Sequence, residues 1–291
     1  MSYAIVDYSN KSYLGILKVS SNTIGEISIS MPPFKNNKSK KYALKLVKLL
    51  NKNKIENVVL SEKLLSNSIF CGELIKNRKY IVTGRRLYKV LLCRMLKDIA
   101  KQMDVSIQKL KVVLLVKEYS LESMDLINNI AKNVKSLIIV TNDADRYRRL
   151  AEELFEKYGI ILKVFEKEKT NFKYAHIVIN IDFLSEELNK IAVNPNSLVI
   201  CGFAKNYKPK NNFNGIVIKY VDIISGREEI PGVDNLAICE VKIYNYLRKI
   251  KENDRVFERE GYRINGYFGE NGKIMSDEFL KLGKIYLTNK I

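Results

Sequence analysis

"KVVLLVKEYSLESMDLI", Lys111 to Ile127, decides how the rest of the chain is read. Val112 to Val116 form a continuous apolar run, the pattern of a strand covered on both faces. The run stops at once, and a helical pattern begins near Leu121. At such a strand–turn–helix junction a dinucleotide-binding chain places G-x-G-x-x-G. Those glycines allow a tight bend and let backbone N–H groups come close to a diphosphate. Here the turn reads Lys117-Glu118-Tyr119-Ser120-Leu121-Glu122-Ser123, with no glycine. The local pattern therefore predicts a nucleotide-binding fold while removing the residues that hold the nucleotide.

Strands and helices alternate outward from this junction. The apolar run Leu137–Val140 is followed by the helical "DADRYRRLAEELFEKYG", with Gly159 in the C-cap position. Further strands are expected at Ile161–Phe165, His176–Ile181, Leu198–Cys201 and Ile216–Val221, with a short helix in "DFLSEELNKI". Strands that are apolar at successive positions need cover on both faces, and intervening helices favour parallel pairing. The expected class is α/β: a Rossmann-like, doubly wound, mostly parallel sheet in the order 3-2-1-4-5-6, preceded by a smaller α/β N-terminal domain.

The N-terminal stretch has a different character. Ala4–Asp7, Tyr13–Val19 and Gly25–Met31 are β-prone runs separated by turn-forming clusters, which predicts an antiparallel meander. A loop, "PPFKNNKSKK", leads to an amphipathic helix over Tyr42–Asn51 with Leu44, Val47 and Leu50 on its apolar side. Short strands follow at Asn57–Leu60 and Lys79–Val82. "TGRRLYKVLLCRMLKDIAKQM" then forms a long helix with Thr83 as N-cap and one stripe of Leu87, Val90, Leu91, Met95, Ile99 and Met103. A second helix over Val233–Lys251, with Leu236, Val241, Tyr244, Leu247 and Ile250, and a glycine-punctuated hairpin close the chain before a short terminal helix. Tyr262, Tyr267 and Phe268 in that hairpin are read as core residues before base-stacking ones. Three regions result: 1–105, ending in a connecting helix; 106–230, the Rossmann-like domain; and 231–291, packing on the rest.

Composition narrows the class. With 291 residues and 46% hydrophobic content the chain can bury a core. No apolar run is long enough to span a membrane and the N-terminus lacks a secretion-signal pattern, so a cytoplasmic protein is expected. Cys71, Cys93, Cys201 and Cys239 are widely spaced and His176 is the single histidine, which argues against disulfides and metal sites. Positive charge is concentrated: residues 1–110 hold 21 basic and 7 acidic side chains, 21 − 7 = +14 of a net +18. A basic face for nucleic acid or an acidic partner, centred on Lys38, Lys40 and Lys41, is one explanation. The background of a Lys-, Asn- and Ile-rich chain is the other.

From "TGRRLYKVLLCRMLKDIAKQMDVSIQKLKVVLLV" through "VKSLIIVTNDADRYRRLAEELFEKYGI" to "AHIVIN", the chain resembles two-domain NADP-dependent reductases. These are the shikimate dehydrogenases, glutamyl-tRNA reductases and long-chain acyl-ACP reductases. The resemblance covers about residues 80–225 and lies in pattern. It implies an N-terminal domain, a connecting helix and an NADP-binding Rossmann domain. The departure falls on the cofactor fingerprint itself, where Lys117, Glu118, Tyr119 and Leu121 obstruct the approach of a diphosphate and Glu118 and Glu122 add negative charge.

The remaining candidates are few. Ser120 and Ser123 sit at a helix N-terminus, where hydroxyls and the helix dipole attract an anion. Asp143 lies where a carboxylate would meet a ribose hydroxyl, with Arg146 placed for a 2′-phosphate, but capping of the next helix is the simpler role for Asp143. Arg85 and Arg86 open the long helix and are candidates to clamp a phosphate or carboxylate, or are two solvated arginines. Cys71 stands in the N-terminal domain, where the resemblance to glutamyl-tRNA reductases implies a nucleophile; an inert buried thiol is the plainer role. The expected protein is a degenerate dehydrogenase-like chain without conventional NAD(P) catalysis and without a resident cofactor, acting as a ligand-binding or regulatory protein. The alternatives are a basic scaffold for nucleic acid or an acidic partner, and a reductase that binds NADP or another nucleotide through an atypical loop.

Overall fold

The computed structural model describes residues 2–8, 17–23, 26–166, 171–172, 174–224, 234–243 and 263–288. The chain divides into two compact units, Met1–Leu87 with Ser225–Val256, and Tyr88–Ile224 with Phe257–Ile291.

The first unit contains strands β1 (Tyr3–Tyr8), β2 (Lys18–Thr23), β3 (Glu26–Met31), β4 (Asn57–Leu60) and β5 (Tyr80–Val82). Their order in the sheet is β2-β3-β1-β4-β5. Helices α1 (Ser39–Lys52), α2 (Glu62–Leu65) and α3 (Ser68–Lys76) fall between the strands, and α4 (Arg85–Gln102) begins in this unit. Residues 13–16 of the expected meander's second strand lie outside the described residues. Among the described residues the expected meander is not formed: of its strands only β2 and β3 pair antiparallel, while β1 lies between β3 and β4 and is parallel to both. The reason is in β1 itself, where Tyr3, Ala4, Ile5 and Val6 are all buried and so require cover on both faces. Ala4 and Val6 pack with Ala43, Leu46 and Leu50 of α1 and Phe70 and Leu74 of α3. Tyr3 and Ile5 pack with Ala237, Ile238 and Val241 from the helix Asn235–Ile243. Leu44 is a second correction: Ala43 and Leu46 take the buried positions and Leu44 faces solvent.

The second unit holds the alternating pattern. Its elements are β6 (Lys111–Leu115), α5 (Leu121–Ala131), β7 (Ser136–Thr141), α6 (Ala144–Tyr158), β8 (Leu162–Glu166), β9 (Asn171–Phe172), β10 (Ile177–Asn180), α7 (Ser185–Leu188), β11 (Ala192–Val193), β12 (Leu198–Ile200), β13 (Ile216–Ile218) and β14 (Tyr220–Ile224). Six of the strands form one parallel sheet ordered β8-β7-β6-β10-β12-β13, which is the Rossmann order 3-2-1-4-5-6. Because side chains alternate along a strand, the pairing register sets Val112, Leu137 and Leu162 on one face and Val113 and Ile138 on the other. Helices α5 and α6 bury Leu126, Ile127, Ile130, Tyr147, Leu150 and Leu154.

On the other side of the sheet, Val113, Leu115, Val178 and Val199 join a core completed by Phe172, Phe183, Leu188, Ile191 and Tyr207. The link from β12 to β13, "CGFAKNYKPKNNFNG", is too rich in glycine, proline and asparagine to continue as a helix and crosses as turns.

The strand expected over Ile216–Val221 is two strands. The Lys219 N–H turns to the Phe268 carbonyl (2.9 Å), and from Tyr220 onward β14 pairs antiparallel with β15 (Arg263–Gly269). The helix Asn235–Ile243 is α8, β16 is Gly272–Lys273 and α9 is Ser276–Thr288. Tyr244, Leu247, Ile250 and Tyr262, named from the sequence, lie outside the described residues. Tyr267 is core, 1% exposed, and donates its hydroxyl to Asp98 (2.8 Å).

Candidate functional site

In a doubly wound sheet the ligand crevice opens where strand order reverses, at the carboxyl ends of the first and fourth strands. Here those are β6 and β10. The turn leaving β6 exposes the N–H groups of Lys117 and Glu118, the groups a diphosphate would use. They already have an acceptor. Asp182, two residues past β10, takes the Lys117 N–H at 2.5 Å and the Glu118 N–H, more loosely, at 3.4 Å. Asn180 holds this arrangement from beneath. Its amide, 1% exposed, donates to the Phe183 and Cys201 carbonyls and accepts from the Phe183 N–H, which fixes the bend that presents Asp182.

The rest of the turn is tied down by its own side chains. Ser120 caps α5 by accepting the Ser123 N–H (3.1 Å), and its hydroxyl also meets that of Ser123 (2.9 Å). The Tyr147 hydroxyl donates to the Glu118 carbonyl (3.0 Å), and the Tyr119 ring packs edge-on to Tyr147 at 5.1 Å. Lys117 extends toward Glu187 (3.5 Å) and Lys89 toward Glu122 (3.8 Å). Burial raises the Asp182 carboxyl above its ordinary range. The two backbone N–H groups and the Lys89 charge pull it back, and Glu118 adds repulsion. The turn therefore contains its own anion, seated on the N–H groups of Lys117 and Glu118.

Asp143 occupies the N-cap position of α6 but its side chain makes no capping hydrogen bond, which corrects the capping role expected for it. Its carboxylate pairs with Arg146 at 3.6 Å, while the Asp143 N–H goes to the Thr141 hydroxyl (3.1 Å). The Arg146 guanidinium also lies over the Tyr119 ring, 5.7 Å from its centre. These two residues thus neutralise each other beside the turn.

The start of α4 repeats the device. Gly84 has φ of +81°, and a Cβ there would stand 2.7 Å from the Leu236 Cβ, so α8 approaches closely only because residue 84 is glycine. From α8, Glu240 reaches back to accept the Arg86 N–H (2.9 Å) and the Leu87 N–H (3.0 Å). The carboxylate of Glu240, and not Thr83, satisfies the first turn of α4. Arg85 is exposed and Arg86 half-buried at this end, next to an anion site that is already filled.

Cys71 sits on α3, half-buried, its Sγ 3.5 Å from the Leu64 carbonyl oxygen, and burial pushes its thiol up. Of the neighbouring cations suggested by the sequence, Lys79 is spent on the Ile55 carbonyl (2.7 Å). A thiol so placed is poorly disposed to form a thiolate. Lys38, Lys40 and Lys41 are exposed at the start of α1. A separate groove of about 420 Å³ in the second unit runs between Asn189–Pro195 and Tyr207–Phe213, with Lys208 and Lys210 at its side.

Sequence reasoning missed Asp182 and Glu240. The first left a signal in "HIVINID", an acidic residue just beyond the strand facing the nucleotide turn. The second left none, because its partner lies 154 residues away.

No protein-family model matches the chain, and no curated protein is similar in sequence. Similar solved structures include a shikimate dehydrogenase in complex with NADP+, 11% identical over 74% of this chain and 83% of that one, TM-score 0.31. The ligand-free 5-ketofructose reductase of Gluconobacter sp. strain CHM43 is 11% identical over 98% and 99%, TM-score 0.36. The ligand-free aspartate transcarbamoylase of Trypanosoma cruzi is 12% identical over 68% and 70%, TM-score 0.29.

Proposed function

We propose that this chain carries the plan of the two-domain reductases without conventional NAD(P)-dependent hydride transfer, its nucleotide crevice being closed by its own residues. The observation that carries the proposal is the Asp182 carboxylate on the Lys117 and Glu118 N–H groups. A diphosphate seated on those groups meets that carboxylate as a like charge, and at the effective dielectric of a protein surface one such pair about 4 Å apart costs about 4 kcal/mol. That is about three orders of magnitude in affinity. Glycine is also absent from the turn, so the backbone lacks the room that would offset the penalty. Ser120, Ser123, Asp143 and Arg146 act here as internal fastenings of the turn, and Cys71 carries no catalytic role.

Titration with NADPH and with NADH, followed by calorimetry and by thermal shift, tests the proposal. No binding below the millimolar range is expected for either. A micromolar dissociation constant for either nucleotide overturns it, and would favour a reductase with an atypical cofactor loop.

A further inference from the structure

The solvent face of α1 carries charge of one sign. From Lys35 to Lys54 the chain has eight lysines and no acidic residue. Lys38, Lys41, Lys45, Lys48 and Lys52 succeed one another at spacings of three and four, which on a helix is a single row along the axis. All five are exposed. At 1.5 Å of rise per residue the row is about 21 Å long. Its direction is fixed, because Ala43, Leu46, Val47 and Leu50 on the opposite side are locked in the core of the first unit.

We propose that this row is a contact surface for the phosphate backbone of double-stranded nucleic acid, bound without regard to sequence. About 21 Å of duplex carries about twelve phosphates, so each ammonium group has one within reach. The composition of the face separates this partner from others. Protein–protein contacts centre on aromatic and arginine anchors and are depleted in lysine. The row has no such anchor. A helix that lies in a membrane surface presents an apolar face to the lipid, and the apolar face of α1 is used internally. Single-stranded nucleic acid is held by stacking on free aromatic rings. Among the described residues, the ring set within the row, Tyr42, is stacked on Phe34 at 4.7 Å and sits under the Lys45 ammonium at 5.3 Å. A duplex backbone needs only the charge and its spacing.

The test is the anisotropy of a short fluorescein-labelled DNA duplex of arbitrary sequence, titrated with the full chain at several salt concentrations. Five lysine–phosphate contacts predict an affinity loss of about 500-fold between 50 and 200 mM salt. Lys41→Glu, Lys45→Glu and Lys48→Glu together should leave no more than about a 12-fold dependence over that range, with weaker binding throughout. The same change of net charge placed on the second unit, Lys157→Glu, Lys190→Glu and Lys284→Glu, should leave the affinity within about threefold. Circular dichroism and the melting temperature confirm that both variants fold. Four results overturn the proposal: no duplex binding at 50 mM salt, equal loss in both triple variants, tighter binding of the single strand, or equal competition by vesicles of anionic lipid.

Discussion

The start of α4 and the turn before α5 both present backbone N–H groups with no partner in their own helix, and each receives a carboxylate from far along the chain. Glu240 serves α4 across 154 residues, and Asp182 serves the turn across 64 and 65. The two differ in access to water. Glu240 is 1% exposed and Leu87, one of its donors, is 0% exposed. Asp182 is half-buried and the Glu118 donor is at the surface. A buried N–H that loses its acceptor bears its full desolvation cost, whereas an exposed one turns to water. The same hydrogen bonds should therefore be structural at α4 and replaceable at the nucleotide turn.

Glu240→Ala is the change with the largest expected effect. It strands two N–H groups and leaves a void, which costs about 3 kcal/mol. For a unit of this size that is a fall in melting temperature of about 10 °C. Glu240→Gln keeps an oxygen for both donors and should lose about a third as much. Thermal melts of the two variants beside the wild type decide the matter. If Ala melts no lower than Gln, Glu240 does not bear these donors and the contrast with Asp182 disappears.

The fold was legible wherever the sequence pattern was local. The six-strand alternation, the long helix with its stripe from Leu87 to Met103 and the left-handed Gly159 at the end of α6 follow from periodicity and capping over a few residues. Pairing partners were not legible: the apolar run of β1 fits a central parallel strand as well as a meander, and only the two clusters on its faces decide between them. The candidate site divided in the same way. The lack of glycine after β6 was visible in a single stretch. What fills the turn was not, because Asp182 comes from the far side of the strand-order reversal and Asn180 must first fix the bend that delivers it.

His176 extends the comparison to an acceptor that is neutral. Its Nδ1 receives the Lys111 N–H (3.3 Å) while its ring stacks on Tyr286 at 4.5 Å. Burial, with the charges of Lys111 and Lys135, lowers its pKa to about 4. The folded value lies below the unfolded one, so between about pH 6.5 and 4 the unfolded chain binds the extra proton and stability falls as pH falls. From pH 7 to pH 5 the loss is about 2 kcal/mol. His176→Phe keeps a ring against Tyr286 but gives up the acceptor and the titration. It should melt lower at pH 7 and lose less on acidification than the wild type does. Equal losses in the two proteins would mean that His176 is not held neutral by its surroundings.

Asp182→Ala should have the smallest effect on stability and the clearest effect on binding. The folded pKa of Asp182 lies above its unfolded value. Its contribution is therefore greatest in acid and is lost as pH rises through the folded pKa, leaving a partly desolvated charge at neutral pH. Removing it forfeits two hydrogen bonds and also that desolvation cost, for a net change of about 1 kcal/mol or less. The freed Lys117 and Glu118 N–H groups then face solvent at the start of α5, where an anion is favoured by the helix dipole. Inorganic pyrophosphate at about ten times its dissociation constant should stabilise the variant by about 1.4 kcal/mol and the wild type by nothing measurable. Two outcomes count against a carboxylate stopper. If the wild type is stabilised equally, Asp182 does not block the turn. If neither responds, the side chains of Lys117 and Tyr119 close the crevice on their own, and the likeness to the start of α4 is one of hydrogen bonding alone.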